Sequence, residues 1–400
     1  MTLHLVGRRR LVLAGIVASL ALLLGTAAFA QFRGERSWAG MQRTVASLRA
    51  EWESRPNRRE PLWGDATDDR ASAHYERADA AARQVQKVDY KALVKLLPHG
   101  DGLFATRAGA LRAAWQPVLT HLRAGAHATD VRPAMAPGAA PKQQATNLLD
   151  ARWVSNVAIF ESRVLRNEGR AIEAVQWSLD AATYGADLMR GSLMIDQVIG
   201  AAILHIATIE AWSEAELERL DAPALDLLAQ GLERLDASLP EALDLTSELL
   251  VCARGLQDAM SDTIWMPSAW RYGFSLRWMI GDAFLQYAAA ADDWLRCHDS
   301  TWPQRKAMFA AAGDELARSW NPLAAIVMPN LVAAEGNVRE VLANLRMLRM
   351  AVDLHRGLEV PPLRDPLGSG QLGVKREAGC VRITSDGSTT GRPIERFVAR

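Results

Sequence analysis

The pattern of apolar and polar residues divides the chain into one long apolar segment near its start and many amphipathic segments after it. Arg8, Arg9 and Arg10 precede an uncharged and mostly apolar run over residues 11–30. At about 1.5 Å per residue, a helix of that run would match the hydrocarbon core of a bilayer, which is about 30 Å thick. The pattern predicts a membrane helix with its arginines in the cytoplasm and the rest of the chain on the other side.

The same segment also fits a cleaved signal peptide. Ala28-Phe29-Ala30 before Gln31 matches the small-x-small pattern of a cleavage site. We favour an uncleaved signal anchor because the apolar run is longer than a usual signal core. Residues 1–30 are therefore expected to anchor the chain as a single-pass protein of the inner membrane. The alternative is a periplasmic or secreted protein that is cleaved after Ala30. Both interpretations place residues 31–400 outside the cytoplasm.

Beyond the apolar run, apolar residues recur at spacings of three and four, which is typical of helices packed on one side. Residues 31–123 are predicted to form a membrane-proximal helical region. Its first helix is expected to start at Ser37 as N-cap, and further helices are expected over 71–87 and 103–123, the latter interrupted near Pro117. Its first apolar stripe consists of Trp38, Met41, Val45, Leu48 and Trp52.

A Pro-, Gly- and Ala-rich loop is predicted over 124–146, followed by a main helical domain over 147–357. Segments 148–166 and 170–189 should form a helical hairpin, because Gly169 suits the left-handed position that ends a helix. The most apolar internal stretch, 192–212, carries charges and is predicted to be a buried core helix. Further helices are expected over 214–236, 240–260, 275–298, 303–319 and 321–356, the last kinked at Pro329.

Residues 358–400 change from the helical to the alternating pattern. Leu372 and Val374, then Val381 and Ile383, alternate about a turn at 377–379 and predict a β-hairpin. Residues 386–400 are expected to be loose. The predicted fold class is mainly α: an N-terminal membrane helix, an irregular array of helical hairpins and a small C-terminal β-hairpin.

Charge and cysteine content narrow the function classes. Lys plus Arg and Asp plus Glu both number 46, so no long-range field favours nucleic acid, and no nucleic-acid partner is expected. Cys252, Cys297 and Cys380 are an odd set without C-x-x-C spacing. Outside the cytoplasm, Cys252 and Cys297 could pair, and three unpaired thiols are the alternative.

Motifs for metals, cofactors and nucleophiles are weak in this sequence. Residues 368–373 fit G-x-G-x-x-G, but a Pro-Pro loop precedes them and a strand pattern follows, which a dinucleotide site does not tolerate. Cys297-His298-Asp299 are adjacent, so their side chains point in different directions and suit a single metal ion poorly. We therefore predict no metal and no cofactor.

An aromatic cluster between residues 265 and 302 is the most specific candidate for binding. Tryptophan and tyrosine favour interfaces because they combine apolar area with a polar group. Packing between helices is the alternative explanation. The candidate ligand- or partner-binding residues are Trp265, Trp270, Tyr272, Trp278 and Trp294.

Several stretches resemble a diffuse group of membrane-anchored, α-helical bacterial proteins to which no activity is assigned. They are "HLRAGAHATDVRP", "EGRAIEAVQWSLDAATYGADL", "LMIDQVIGAAILHIATIEAW" and "LRDPLGSGQLGVKREAGCVRITSDG", in that order. The second is similar to a helical hairpin of the tetratricopeptide type, although no 34-residue period continues along the chain. The last resembles the tail of type II secretion pseudopilins at 365–368 and 385–387, but the processing site of those proteins is missing. The resemblance implies an anchored helical topology and no catalytic residue.

These patterns predict an extracytoplasmic, membrane-tethered helical protein that binds a protein partner or acts as a scaffold in the cell envelope. The membrane is contacted through residues 11–30. The sequence favours this binding role over an enzymatic one. The alternative function is a hydrolase or a lipid- or glycan-binding enzyme whose site is assembled around the aromatic cluster 265–302. Such a site would need convergent carboxylates or histidines, such as Asp292, Asp293 or His298.

Overall fold

The structure is a computed structural model that confirms a mainly helical protein with a small antiparallel sheet near its C-terminus. The chain forms two compact units. Unit 1 comprises Met1–Glu53, Leu249–Asp293 and Ala311–Pro329, and unit 2 comprises the remaining segments. The five-part division predicted from the sequence stays a prediction. The residues described are 3–55, 57–85, 102–132, 148–190, 193–261, 274–296, 300–326, 330–387, 389 and 394–399.

Helix α1 spans Leu3–Glu53 without a break. The predicted start at Ser37 is therefore wrong: Ser37 lies inside the helix, because extending a helix that already exists is easier than nucleating a new one. The side chains of residues 1–18 lie outside the described part of the chain. Among the helices that the structure describes, none is both long and apolar enough to cross a membrane.

The described part of unit 1 contains all or part of four further helices. They are α9 (Thr246–Ser261), α10 (Phe274–Arg296), α11 (Trp302–Ala317) and α12 (Pro322–Ile326). Helices α10, α11 and α12 share a small apolar core of Ala283, Leu316 and Ala324. Segments α9, α10 and α11 each extend partly into unit 2. A Cβ on Gly281 of α10 would lie 2.9 Å from the carbonyl carbon of Ser37, so only glycine permits this approach of α10 to α1.

Unit 2 is built around a helical hairpin that the sequence predicted. Helices α4 (Leu148–Asn167) and α5 (Ala171–Met189) are joined by Gly169, whose φ is +77°. Helix α5 is buried along most of its length. The remaining helices of the unit are α2 (Ala71–Val85), α3 (Gly102–His127), α6 (Met194–His205), α7 (Glu214–Leu217), α8 (Ala222–Ser238) and α13 (Leu331–His355).

Several helix predictions require correction. Helix α3 continues through Pro117 and to His127, because the residues around the proline, such as Val118 and Leu122, are fully buried and their packing outweighs one lost hydrogen bond. The helix predicted over 214–236 is divided, since Asp221 accepts a hydrogen bond from the Ala224 amide at 3.0 Å and starts a new helix. The helix predicted over 240–260 starts only at Thr246.

The helix predicted over 321–356 is divided as well. Asn330 accepts a hydrogen bond from the Ala333 amide at 3.2 Å and caps α13 at its start. The predicted kink at Pro329 lies outside the described residues.

Helices α5 and α6 cross at a glycine pair. A Cβ on Gly200 would lie 2.4 Å from the carbonyl oxygen of Gly185, so both positions exclude a side chain. Helix α6 then widens into a π-turn at Ile206–Glu210. The Ser178 hydroxyl donates to the Ala207 carbonyl at 2.6 Å and accepts from the Trp212 indole at 2.7 Å, which ties α5 to the residue beyond this turn.

The described part of unit 2 also contains two small sheets. Strands β1 (Thr67–Arg70) and β2 (Ala128–Asp130) pair in parallel. Near the C-terminus, β3 (Gly373–Glu377), β4 (Cys380–Ser385) and β5 (Ile394–Ala399) form an antiparallel sheet in that order. The hairpin of β3 and β4 is confirmed, with Gly379 at φ +84° in its turn. The expectation that 386–400 is loose is wrong for Ile394–Ala399, because all six residues of β5 pair with β4.

Candidate functional site

The predicted aromatic site is only partly described by the structure. Trp265, Trp270 and Tyr272 lie outside the described residues. Trp278 belongs to unit 1 and Trp294 to unit 2. Trp294 is buried, and its ring meets the edge of the Phe309 ring at 5.1 Å between centroids. Its surroundings are those of a core residue, and the binding role of the five residues stays a prediction.

Trp278 takes part in an exposed aromatic patch in unit 1. We call Phe29, Arg33, Trp278 and Trp320 the aromatic patch. The Trp278 ring lies 4.7 Å from the Trp320 ring and meets the Phe29 ring edge to face at 6.2 Å. The guanidinium carbon of Arg33 lies 5.6 Å from the centre of the Phe29 ring. Phe29 and Trp320 expose 54% and 55% of their surface, so the patch faces solvent.

A buried polar cluster lies between α2, α3 and α5 in unit 2. Arg59 donates to both carboxylate oxygens of Asp187 at 2.8 Å, and the Tyr75 hydroxyl donates to Asp187 at 2.7 Å. Arg59 also donates to the Ala126 and Gly125 carbonyls at the end of α3. Burial alone would lower the pKa of Arg59, but the negative charge of Asp187 and its hydrogen bonds to Arg59 outweigh that effect and raise the pKa. The segment after α1 is thereby fixed to the helices.

A carboxyl group with a pKa near neutrality continues this cluster. The Tyr184 hydroxyl donates to Asp79 at 3.1 Å, and the rings of Tyr184 and Tyr75 lie 4.4 Å apart. Burial raises the pKa of Asp79 to about 7, although the bond from Tyr184 works in the opposite direction. Burial also raises the pKa of Tyr184, so its hydroxyl keeps its proton. Asp79 is the group of this cluster that is suited to exchange a proton at neutral pH.

Asp180 of α5 is completely buried and lies among three polar side chains. Arg123 donates to it at 2.8 Å and the Trp63 indole at 2.7 Å, while the His127 ring nitrogen Nε2 lies 3.7 Å away. The Arg123 guanidinium carbon lies 3.6 Å from the centre of the Trp177 ring and 4.9 Å from that of Trp63. This arrangement is a cation between two aromatic rings, with its charge balanced by a carboxylate. It fixes the 57–66 segment and α3 on α5.

A second buried ionic cluster holds α13 in unit 2. Glu335, fully buried, accepts from Arg305 at 2.5 and 2.7 Å and from Arg339 at 2.9 Å. Arg305 also donates to the Trp294 carbonyl at 2.7 Å, and Arg339 to the Pro366 carbonyl at 2.9 Å. Burial lowers the pKa of Arg339. The cluster links α10, α11, α13 and the segment before the C-terminal sheet.

The sequence analysis did not predict these clusters, although the spacing of polar residues in α5 contained part of the information. Asp180, Tyr184 and Asp187 occupy positions i, i+4 and i+7 of α5 and therefore share one face of a buried helix. Two carboxylates on a buried face require partners. The partners come from distant segments, so their identity was not readable from the spacing.

The polar groups of the alternative, hydrolytic site do not form a described centre. Asp292 is exposed on α10, and the side chain of Asp293 and residue His298 lie outside the described part of the chain. Within that part, no group of three or more His, Cys, Asp and Glu residues could hold a metal ion. Cys297 also lies outside it, so its pairing with Cys252 stays a prediction.

Comparison with known proteins adds no relative. No family model, no curated protein and no solved structure matches this chain. The resemblance to anchored helical bacterial proteins stays a prediction.

Proposed function

We propose that the protein is a membrane-tethered, extracytoplasmic helical protein that binds a protein partner in the cell envelope. The observation that supports the tether is the exposed apolar surface of α1. Leu22, Leu24, Phe29 and Phe32 expose 71%, 69%, 54% and 61% of their surface. Removing such a side chain from water contributes about 1.5–3 kcal/mol, which an acyl-chain environment would supply. Residues 11–30 are the proposed span.

The hydrogen bonds of the buried carboxylates in unit 2 support the partner-binding part of the proposal. Asp180, Asp187 and Glu335 each accept hydrogen bonds from arginine, tyrosine or tryptophan side chains of other segments. Such bonds fix helices relative to one another and leave a shaped, stable surface.

The tether is tested by fractionating cells that express the tagged chain and washing their membranes with alkaline carbonate. Leu22→Arg places a charge in the proposed span, where it opposes insertion by about 2.5–3.5 kcal/mol. We expect this variant to leave the membrane fraction. Ile172→Arg is the matched control, since Ile172 is an exposed apolar residue of α5 in unit 2. A wild-type chain released by carbonate would contradict the tether, and an N-terminus at Gln31 would identify the cleaved form.

The partner is tested by crosslinking in intact membranes followed by pull-down and mass spectrometry. A protein recovered at comparable abundance, and lost when unit 2 is destabilised by Glu335→Gln, supports the proposal. Recovery of the chain alone, under conditions that capture known envelope complexes, contradicts it and favours the enzyme alternative.

A further inference from the structure

The aromatic patch in unit 1 has the composition of a membrane-interface site. Trp278 and Trp320 are amphipathic rings with an indole N–H, and Arg33 lies beside Phe29 as a cation. Tryptophan is enriched where acyl chains give way to headgroups, because one side of the ring prefers an apolar and the other a polar surrounding. Arginine binds phosphate through two parallel hydrogen bonds.

The position of the patch along α1 agrees with that composition. A span over residues 11–30 would be about 30 Å long and would end next to Phe29. Leu22 lies seven residues before Phe29, which places the two exposed side chains on nearly the same side of the helix. The apolar surface of α1 therefore continues into the patch, and Trp278 and Trp320 extend it sideways.

We propose that the aromatic patch lies in the headgroup region of a phospholipid bilayer, with its rings between acyl chains and water and with Arg33 next to lipid phosphate. This inference rests on the proposed tether and adds a second, lateral contact of unit 1 with the same membrane. Its occupant is the lipid surface on the side of the membrane that carries residues 31–400.

The test uses the full-length protein reconstituted into vesicles of phosphatidylcholine and phosphatidylglycerol. Co-flotation with the vesicles after a carbonate wash reports the tether. Tryptophan emission is then measured with acyl chains brominated either near the headgroup or near the terminal methyl. Trp320→Phe removes one patch tryptophan of the 13 in the chain. Trp115→Phe is the matched control, because Trp115 is buried in unit 2.

We expect headgroup-proximal bromine to quench more than terminal bromine, and we expect Trp320→Phe, but not Trp115→Phe, to lose part of that difference. If Trp320→Phe fails to fold, Trp278→Phe reports on the same patch. Co-flotation with quenching unchanged by either patch variant would overturn the inference and leave the tether standing. Failure of the wild type to co-float would overturn the tether and the inference together.

Discussion

Replacing Glu335 with glutamine should destabilise unit 2 more than any single change on its surface. The Glu335 carboxylate accepts three hydrogen bonds from Arg305 and Arg339, and all three side chains are at most 3% exposed. Glutamine removes the negative charge and presents an N–H to one guanidinium. Two cations would then remain buried without a counter-charge, a situation that opposes folding strongly.

The size of the expected destabilisation follows from the two arginines that lose their counter-charge. Breaking one buried ion pair costs about 3–5 kcal/mol. Since two arginines lose their partner here, we expect a value near the upper end, about 4–5 kcal/mol. That is a large part of the about 5–15 kcal/mol by which a domain is stable, and it corresponds to a melting temperature lower by roughly 10 °C.

Urea unfolding followed by circular dichroism measures the loss, and hydrogen exchange in α13 locates it within unit 2. Glu233→Gln is the matched control: Glu233 accepts from Arg349 at 2.8 Å, but its side chain is 64% exposed. Exposed pairs contribute about 0.2–1 kcal/mol. Equal losses in the two variants would refute the reasoning, because they would mean that Glu335 does not neutralise buried arginines.

Three other changes test the remaining features of unit 2. Asp79 has a pKa of about 7 in the folded chain and near 3.8 when unfolded, so its ionisation lowers the stability of the fold as the pH rises from about 4 to 7. Asp79→Asn should therefore be as stable as the wild type near pH 4 and more stable by up to about 4 kcal/mol above pH 7. Thermal melts across this pH range measure the difference, and a difference that does not change with pH would contradict the expectation. Gly200→Ala should destabilise the fold by about 1–3 kcal/mol through the clash at the α5–α6 crossing. Gly109→Ala, in open space on α3, should stabilise it by about 0.5–1 kcal/mol. Similar melting temperatures for the two variants would contradict the close approach of α5 and α6. Asp221→Ala removes the cap of α8 and should cost about 0.5–2 kcal/mol in urea unfolding, with Asp221→Asn nearly neutral.

Local rules predicted the parts of the fold that depend on neighbours in sequence. The α4–α5 hairpin followed from three-four spacing and Gly169, and the β3–β4 hairpin from alternation about Gly379. Strand β5 was missed because residues 386–392 before it are rich in Gly, Ser and Thr, and because its own six residues do not alternate strictly between apolar and polar. Strand β1 was missed because all four of its residues are exposed and polar.

The ionic clusters could not be predicted for a similar reason. Glu335 and Arg339 are four residues apart in α13, which in a sequence indicates an ordinary surface pair. Arg305, thirty residues away, makes it a buried cluster. Of the candidate site, the sequence singled out Trp278, whose neighbours Phe29 and Trp320 come from segments far from it in the chain.

The π-turn at the end of α6 gives this segment a place where the chain can lose one residue without changing direction. A π-turn contains one residue more than an α-helical turn, and the wider turn absorbs that residue, so the residues after it keep nearly the orientation of an uninterrupted α-helix. Deleting Ile209 would allow α6 to close as a regular helix and would leave the Trp212 indole near the Ser178 hydroxyl, to which it now donates at 2.7 Å. Single-residue deletions between 206 and 210 should therefore be tolerated better than deletions within the regular part of α6, where each lost residue rotates everything after it by about 100°.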